Sequence, residues 1–117
     1  MTHVIRIHQT GGPEVLSWEA VVVPAPAAGE ATVRHHAVGL NFIDTYHRTG
    51  LYPLPLPSGI GLEGAGVVEA VGEGVTHRKA GDRAAYAAGK PGSYCDVRVM
   101  PAMNVCRLPD GISFETG

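Results

Sequence analysis

A chain of 117 residues with a net charge of −2 and no Lys/Arg run has the size of one domain with a modest core, and it lacks the electrostatic footprint of a nucleic-acid binder. No apolar stretch approaches the ~20 residues of a membrane helix, and the opening MTHVIRIHQ lacks the apolar region of a secretion signal, so the cytoplasm is the expected compartment. Cys95 and Cys106 are too few for a disulfide scaffold and have no CxxC spacing, so both are expected to be reduced and packed on strands.

In chain order, Val4–His8 is a mostly apolar run that Gly11-Gly12-Pro13 ends, which predicts a first strand. Leu16–Val23 predicts a second, closed by Pro24 and Pro26 because proline cannot donate to a central ladder. Residues 24–30 read as a surface turn, and Ala31–Val38 as a third strand with Val33 and Val38 in the core. His35 and His36 are adjacent and on a strand face opposite ways, which suits ordinary strand residues better than metal ligands.

The stretch from Gly39 to Gly66 carries the densest chemistry. Asn41 suits an N-cap, and Asp44 three residues on can reach back as in a capping box. Phe42, Ile43 and Tyr46 form an apolar stripe at helical spacing, His47 and Arg48 suit the negative end of the dipole, and Gly50 supplies a left-handed stop. Pro53, Pro55 and Pro57 then alternate with leucines, which forbids helix and predicts a stiff, extended crossing.

Gly64-Ala65-Gly66 leads into a predicted strand at Val67–Val71, ended by Gly72-Glu73-Gly74. Further strands are predicted at Arg83–Ala87, Tyr94–Met100 and Val105–Leu108. Many short strands with turns every ten or so residues predict a mainly β barrel or sandwich. Ser113 to Thr116 reads as a capped helix start just before the last residue, Gly117, so the polypeptide is expected to be the front part of a longer protein.

Gly59-Ile60-Gly61-Leu62-Glu63-Gly64 matches the G-x-G-x-x-G nucleotide fingerprint, and Asp82 lies near the distance of a ribose-binding acid. The fingerprint needs a strand before it and a helix after it. Here a proline crossing precedes it and a β-branched strand follows, so these glycines are expected to serve a tight backbone at the mouth of a cleft.

GGPEVL at 11–16, VGLNFIDTYHRTGLYP at 38–53, SGIGLEGAGVVEAVGEGV at 58–75 and AGDRAAY at 80–86 resemble zinc-free quinone oxidoreductases of the medium-chain dehydrogenase/reductase superfamily. The resemblance implies a GroES-like, partly open β-barrel with short helices over residues 1–117. In the family a Rossmann domain follows, members are homodimers, and quinones are reduced with NADPH in the cleft between the two domains. Zinc-dependent relatives carry cysteine where this chain has Asn41, and histidine where it has Leu62. Neither a carboxamide nor leucine replaces those ligands, which implies a metal-free site in which Glu63 is a hydrogen-bonding or structural residue.

The same resemblance implies that Asn41, Phe42, Ile43, Asp44, Thr45 and Tyr46 line the nicotinamide side of the cleft. It also makes Asn41, Tyr46 and Tyr52 the catalytic set, with the two phenols approaching a small-molecule quinone. The residues alone also permit a plainer role, in which Asn41 and Asp44 only cap the helix and Tyr46 is core. Reduction of activated alkenes such as enones uses the same hydride geometry, and a stand-alone GroES-like binding module is a third alternative.

Overall fold

The computed structural model describes residues 2–87 and 89–117. In chain order its strands are β1 (Thr2–Ile7), β2 (Ser17–Val21), β3 (Glu30–Val38), β4 (Ser58–Gly59), β5 (Glu63–Val71), β6 (Arg83–Ala87), β7 (Val97–Pro101) and β8 (Cys106–Arg107). One α-helix, α1 (Phe42–Thr49), follows β3, and short 3-10 turns occupy Pro13–Val15 and Ala102–Asn104. The strands make two antiparallel sheets that do not close, ordered β2-β1-β4 and β7-β3-β5-β6-β8. This is the partly open, mainly β architecture expected.

The core follows from alternation along the central pair. Val33 on β3 and Val68 on β5 face each other in register at 0% and 1% exposure, and Ala31, Ala84, Tyr86, Met100, Ala102 and Val105 close around them. Burying each of these valines contributes about 1.5–3 kcal/mol. Ile7 on β1 and Ile60, in the segment leading into β5, are also fully buried.

Several expectations shift. Val38 is 43% exposed rather than core, because β3 carries register shifts at Thr32/Val33 and His35/Ala37 that re-aim its last residues. β2 is Ser17–Val21, shorter than its apolar run. The seventh strand starts at Val97 and not at Tyr94, because Tyr94 and Cys95 pair with β1 and the Ile60 carbonyl instead. Cys106 is on a strand as expected but exposed, while Cys95 is half-buried, and both are free thiols.

β5 begins at Glu63, so Gly64 and Gly66 lie inside the strand rather than before it. A Cβ built at Gly66 would collide with the Arg34 carbonyl across the ladder. The fingerprint-like glycines therefore lead into a strand, with no helix after them, and a Cβ would meet Gly92 Cα at Gly59, the Tyr94 ring at Gly61 and the His35 ring at Gly64.

His35 and His36 do face opposite ways. His36 stacks on Phe114 at 4.2 Å, whereas His35 lies inward between Cys95 and Tyr86. The Cys95 carbonyl only accepts, so His35 Nδ1–H donates to it at 2.8 Å, and Nε2 accepts the Tyr86 hydroxyl at 2.7 Å. Burial pushes His35 below its ordinary value of 6.5, opposed by the Cys95 bond, with Arg98 lowering it and Asp96 raising it.

The unfolded chain thus binds a proton at His35 near pH 6.5 that the folded chain resists. Stability should fall as pH drops below that value, with a slope of up to about 1.4 kcal/mol per pH unit. His35→Gln should flatten the decline of the urea midpoint between pH 7 and pH 5. Equal declines in the two proteins would remove His35 as its source.

Cys95 gives a second check. Burial pushes its thiol up from the ordinary 9.0 to about 11, and Asp96 adds to this while Arg98 opposes it. At pH 8 it should therefore carry roughly 100-fold less thiolate than a free thiol. Iodoacetamide under native conditions should alkylate the exposed Cys106 long before Cys95, read by peptide mass. Modification of both at one rate would contradict the buried placement.

Candidate functional site

α1 is bounded as its sequence dictates. Asn41 sits at the N-cap in extended conformation, the capping box with Asp44 is formed, and Asn41 N–H donates to Asp44 Oδ2 at 3.0 Å. At the other end Gly50 adopts φ 88°, and its N–H donates to the Tyr46 carbonyl at 3.1 Å. Arg48 ties the last turn to the Gly11 carbonyl through Nε at 3.2 Å.

The expected site residues divide between two sides of this helix. Asp44 is only 4% exposed and faces inward, where its Oδ2 also accepts the Tyr94 hydroxyl at 2.6 Å. Its Oδ1 is buried without a protein partner. Phe42 is 82% exposed and Leu40 80%, so the apolar stripe of the helix does not bury its first ring. Ile43, Thr45 and Tyr46 are half-buried, and Thr45 Oγ1 donates to the Phe42 carbonyl at 2.6 Å.

Tyr52 is half-exposed, and its N–H donates to the Tyr46 carbonyl at 3.2 Å. The two phenol rings meet edge to face with centroids 5.2 Å apart. Such pairs contribute about 0.5–1.5 kcal/mol beyond burial. The structure thus brings Tyr46 and Tyr52 together at the C-terminal end of α1, whereas Asn41 caps the other end.

Asn41 is held from one side. Its Nδ2 donates to Glu63 Oε2 at 3.1 Å, so Glu63 is the hydrogen-bonding residue expected of it. Glu63 fits there because Gly39 has no side chain, and a Cβ at Gly39 would overlap its carboxylate. Leu62 is half-buried and offers no donor atom. Among the described residues no three His, Cys, Asp or Glu side chains converge as a ligand set.

Tyr94 is the residue that sequence reading missed. It lies fifty positions from Asp44, and nothing in local spacing joins them. Burial first, then the Asp44 hydrogen bond and charge, push its phenol well above the ordinary 10.0, so it remains a donor. It also lines, with Ile5, Trp18, Val38, Leu40, Cys95 and Asp96, an apolar groove of about 350 Å³ beside the helix entry. A larger groove of about 1150 Å³ runs along Val21–Pro26 and across the paired strands β3 and β5, and none of residues 41–52 lines it.

Residues 27–110 match the family of the alcohol dehydrogenase GroES-like domain. The chain belongs to that family. It is 53% identical over 116 residues to a quinone oxidoreductase of Pseudomonas aeruginosa, covering 98% of this chain and 36% of the relative. It is 40% identical over 114 residues to a 2-haloacrylate reductase of Burkholderia sp, covering 93% of this chain and 34% of the relative.

Among solved structures, the GroES-like chain superposes on the quinone oxidoreductase of Escherichia coli complexed with NADPH with a TM-score of 0.94 and 50% identity, over 98% of this chain and 35% of that one. Against the quinone oxidoreductase of Pseudomonas syringae pv. Tomato DC3000 the TM-score is 0.93 at 53% identity, over 97% and 35%. The chain therefore spans about a third of the length of these relatives.

Proposed function

We propose that this GroES-like chain forms the substrate-side part of a zinc-independent oxidoreductase that passes hydride from NADPH to quinones. The observation that carries the proposal is the 50% identity, over 98% of the chain, to an enzyme named for quinones and solved with NADPH. On this reading residues 1–117 are the GroES-like domain, and a nucleotide-binding domain completes the enzyme as a cytoplasmic homodimer.

The α1 face suits a nicotinamide by its chemistry. NADPH, when bound, supplies the hydride, and the chain's own residues supply position. The exposed Phe42 ring and the Ile43 and Tyr46 side chains offer an apolar platform, with Asn41 and Thr45 as polar neighbours. Asp44 acts from behind, because its carboxylate is buried and already bonded to Asn41 and Tyr94. Tyr46 and Tyr52 present phenols that can bond a quinone oxygen while stacking against its ring. An electrophile as reactive as a quinone needs no metal to polarise it, consistent with the carboxamide of Asn41 and the alkyl side chain of Leu62.

One observation favours a second reading, reduction of activated alkenes, namely the 40% identity to a 2-haloacrylate reductase. The two are separated by assay. The enzyme completed with its nucleotide-binding domain should oxidise NADPH with benzoquinones and naphthoquinones far faster than with enones or 2-haloacrylates, and should hold much less than one zinc per chain. Residues 1–117 alone should bind NADPH weakly and turn nothing over. Their polar contacts to the nicotinamide are worth only about 1 kcal/mol each. Stoichiometric zinc, or preference for the alkenes, would overturn the quinone assignment.

A further inference from the structure

We infer that Tyr94 is a positioning residue that fixes the N-terminal turn of α1, and through it the carboxamide of Asn41. The catalytic meaning of this rests on the function proposed above. Three observations carry it. Tyr94 is itself firmly held, since its N–H donates to the Ile60 carbonyl at 3.0 Å and its carbonyl accepts Ile5 N–H at 2.8 Å. Its hydroxyl then donates to the buried Asp44 Oδ2 at 2.6 Å, the same oxygen that receives Asn41 N–H at 3.0 Å. Finally, Gly61 at φ 98° leaves room for the ring, because a Cβ there would lie 2.5 Å from Tyr94 Cδ1 and 2.7 Å from Cε1.

The central glycine of the fingerprint-like motif thus seats a tyrosine rather than a phosphate. Asp44 Oδ1 has no protein partner, so the Tyr94 and Asn41 bonds alone fix the rotation of this carboxylate. Without the phenol, Asp44 is free to turn, the capping box loosens, and Asn41 loses the backbone end of a grip whose other end is Glu63.

Amide hydrogen exchange on residues 1–117 tests the structural half. Tyr94→Phe should speed exchange at Asn41 by roughly tenfold or more and leave Val68 in the core unchanged. In an Asp44→Ala background the same substitution should have little further effect, since the acceptor oxygen of the Tyr94 bond is gone. In the completed enzyme, Tyr94→Phe should lower kcat for quinones by roughly 5–10-fold per folded molecule with little change in quinone KM.

Unchanged exchange at Asn41, uniform acceleration across the domain, or full additivity with Asp44→Ala would each overturn the inference. So would normal kcat despite loosened exchange. If the parent enzyme reduces no quinone at all, the functional reading fails, and the exchange and additivity results still decide whether Tyr94 holds Asn41.

Discussion

Gly66→Ala should destabilise the domain by about 3 kcal/mol or more, the upper range for overpacking. The reason is the identity of the atom in the way. At Gly66 an added methyl meets the backbone carbonyl of Arg34, which is committed to the β3–β5 ladder and has no rotamer through which to yield. That ladder joins Val33 to Val68, so separating the strands opens the main core directly. A loss of this size should lower the melting temperature by roughly 10 °C or more in a domain this small. Gly74→Ala is the matched control, since nothing lies within 4 Å of a Cβ there, although its φ of 82° leaves some backbone strain. Comparable melting of Gly66→Ala and the parent would mean that β5 does not pair with β3 in this register.

Tyr52→Phe in the completed enzyme should lower kcat/KM for quinones by a factor of roughly 5–100, about 1–3 kcal/mol for one lost hydrogen bond to a buried partner. NADPH affinity should scarcely move. The ring, its edge-to-face contact with Tyr46 and the backbone bond between the two residues all survive the change, so folding should be unaffected. Asn41→Ala should act differently, because on the proposed reading it removes a polar neighbour of the nicotinamide and it also removes a cap worth about 1 kcal/mol. Its melting temperature therefore has to accompany its kinetics. If both variants keep full activity per folded molecule, the tyrosine and the asparagine are structural and the site lies elsewhere.

How much of this was legible in the sequence depended on the range of the interaction. α1 was readable to within a residue because its start and stop are local devices, a capping box at Asn41 and Asp44 and a left-handed glycine at position 50. The strand at Arg83–Ala87 was equally plain, bounded by a turn and alternating as it should. Strand limits failed where pairing partners are distant. β4 is two residues long, exists only because Arg6 and Ile7 lie opposite it, and has no pattern of its own. The true start of β5 was hidden by glycines, which read locally as turn formers but here make room for the His35 ring at Gly64 and the Arg34 carbonyl at Gly66. Tyr94 was invisible for the same reason, since only the folded chain brings it to Asp44.

The Glu63 side chain fills the space that a Cβ at Gly39 would need, so the two positions share one small volume. Such a couple behaves under mutation as a single character with two letters. Enlarging position 39 alone should displace the Glu63 side chain from its place beside the Asn41 amide, and shortening position 63 alone should draw its carboxylate away from that amide. A joint exchange, Gly39→Ala with Glu63→Asp, trades one methylene for another and conserves the space. For anyone redesigning the cleft, the route to a differently oriented amide at position 41 therefore passes through paired substitutions. Libraries that vary one position at a time would miss it.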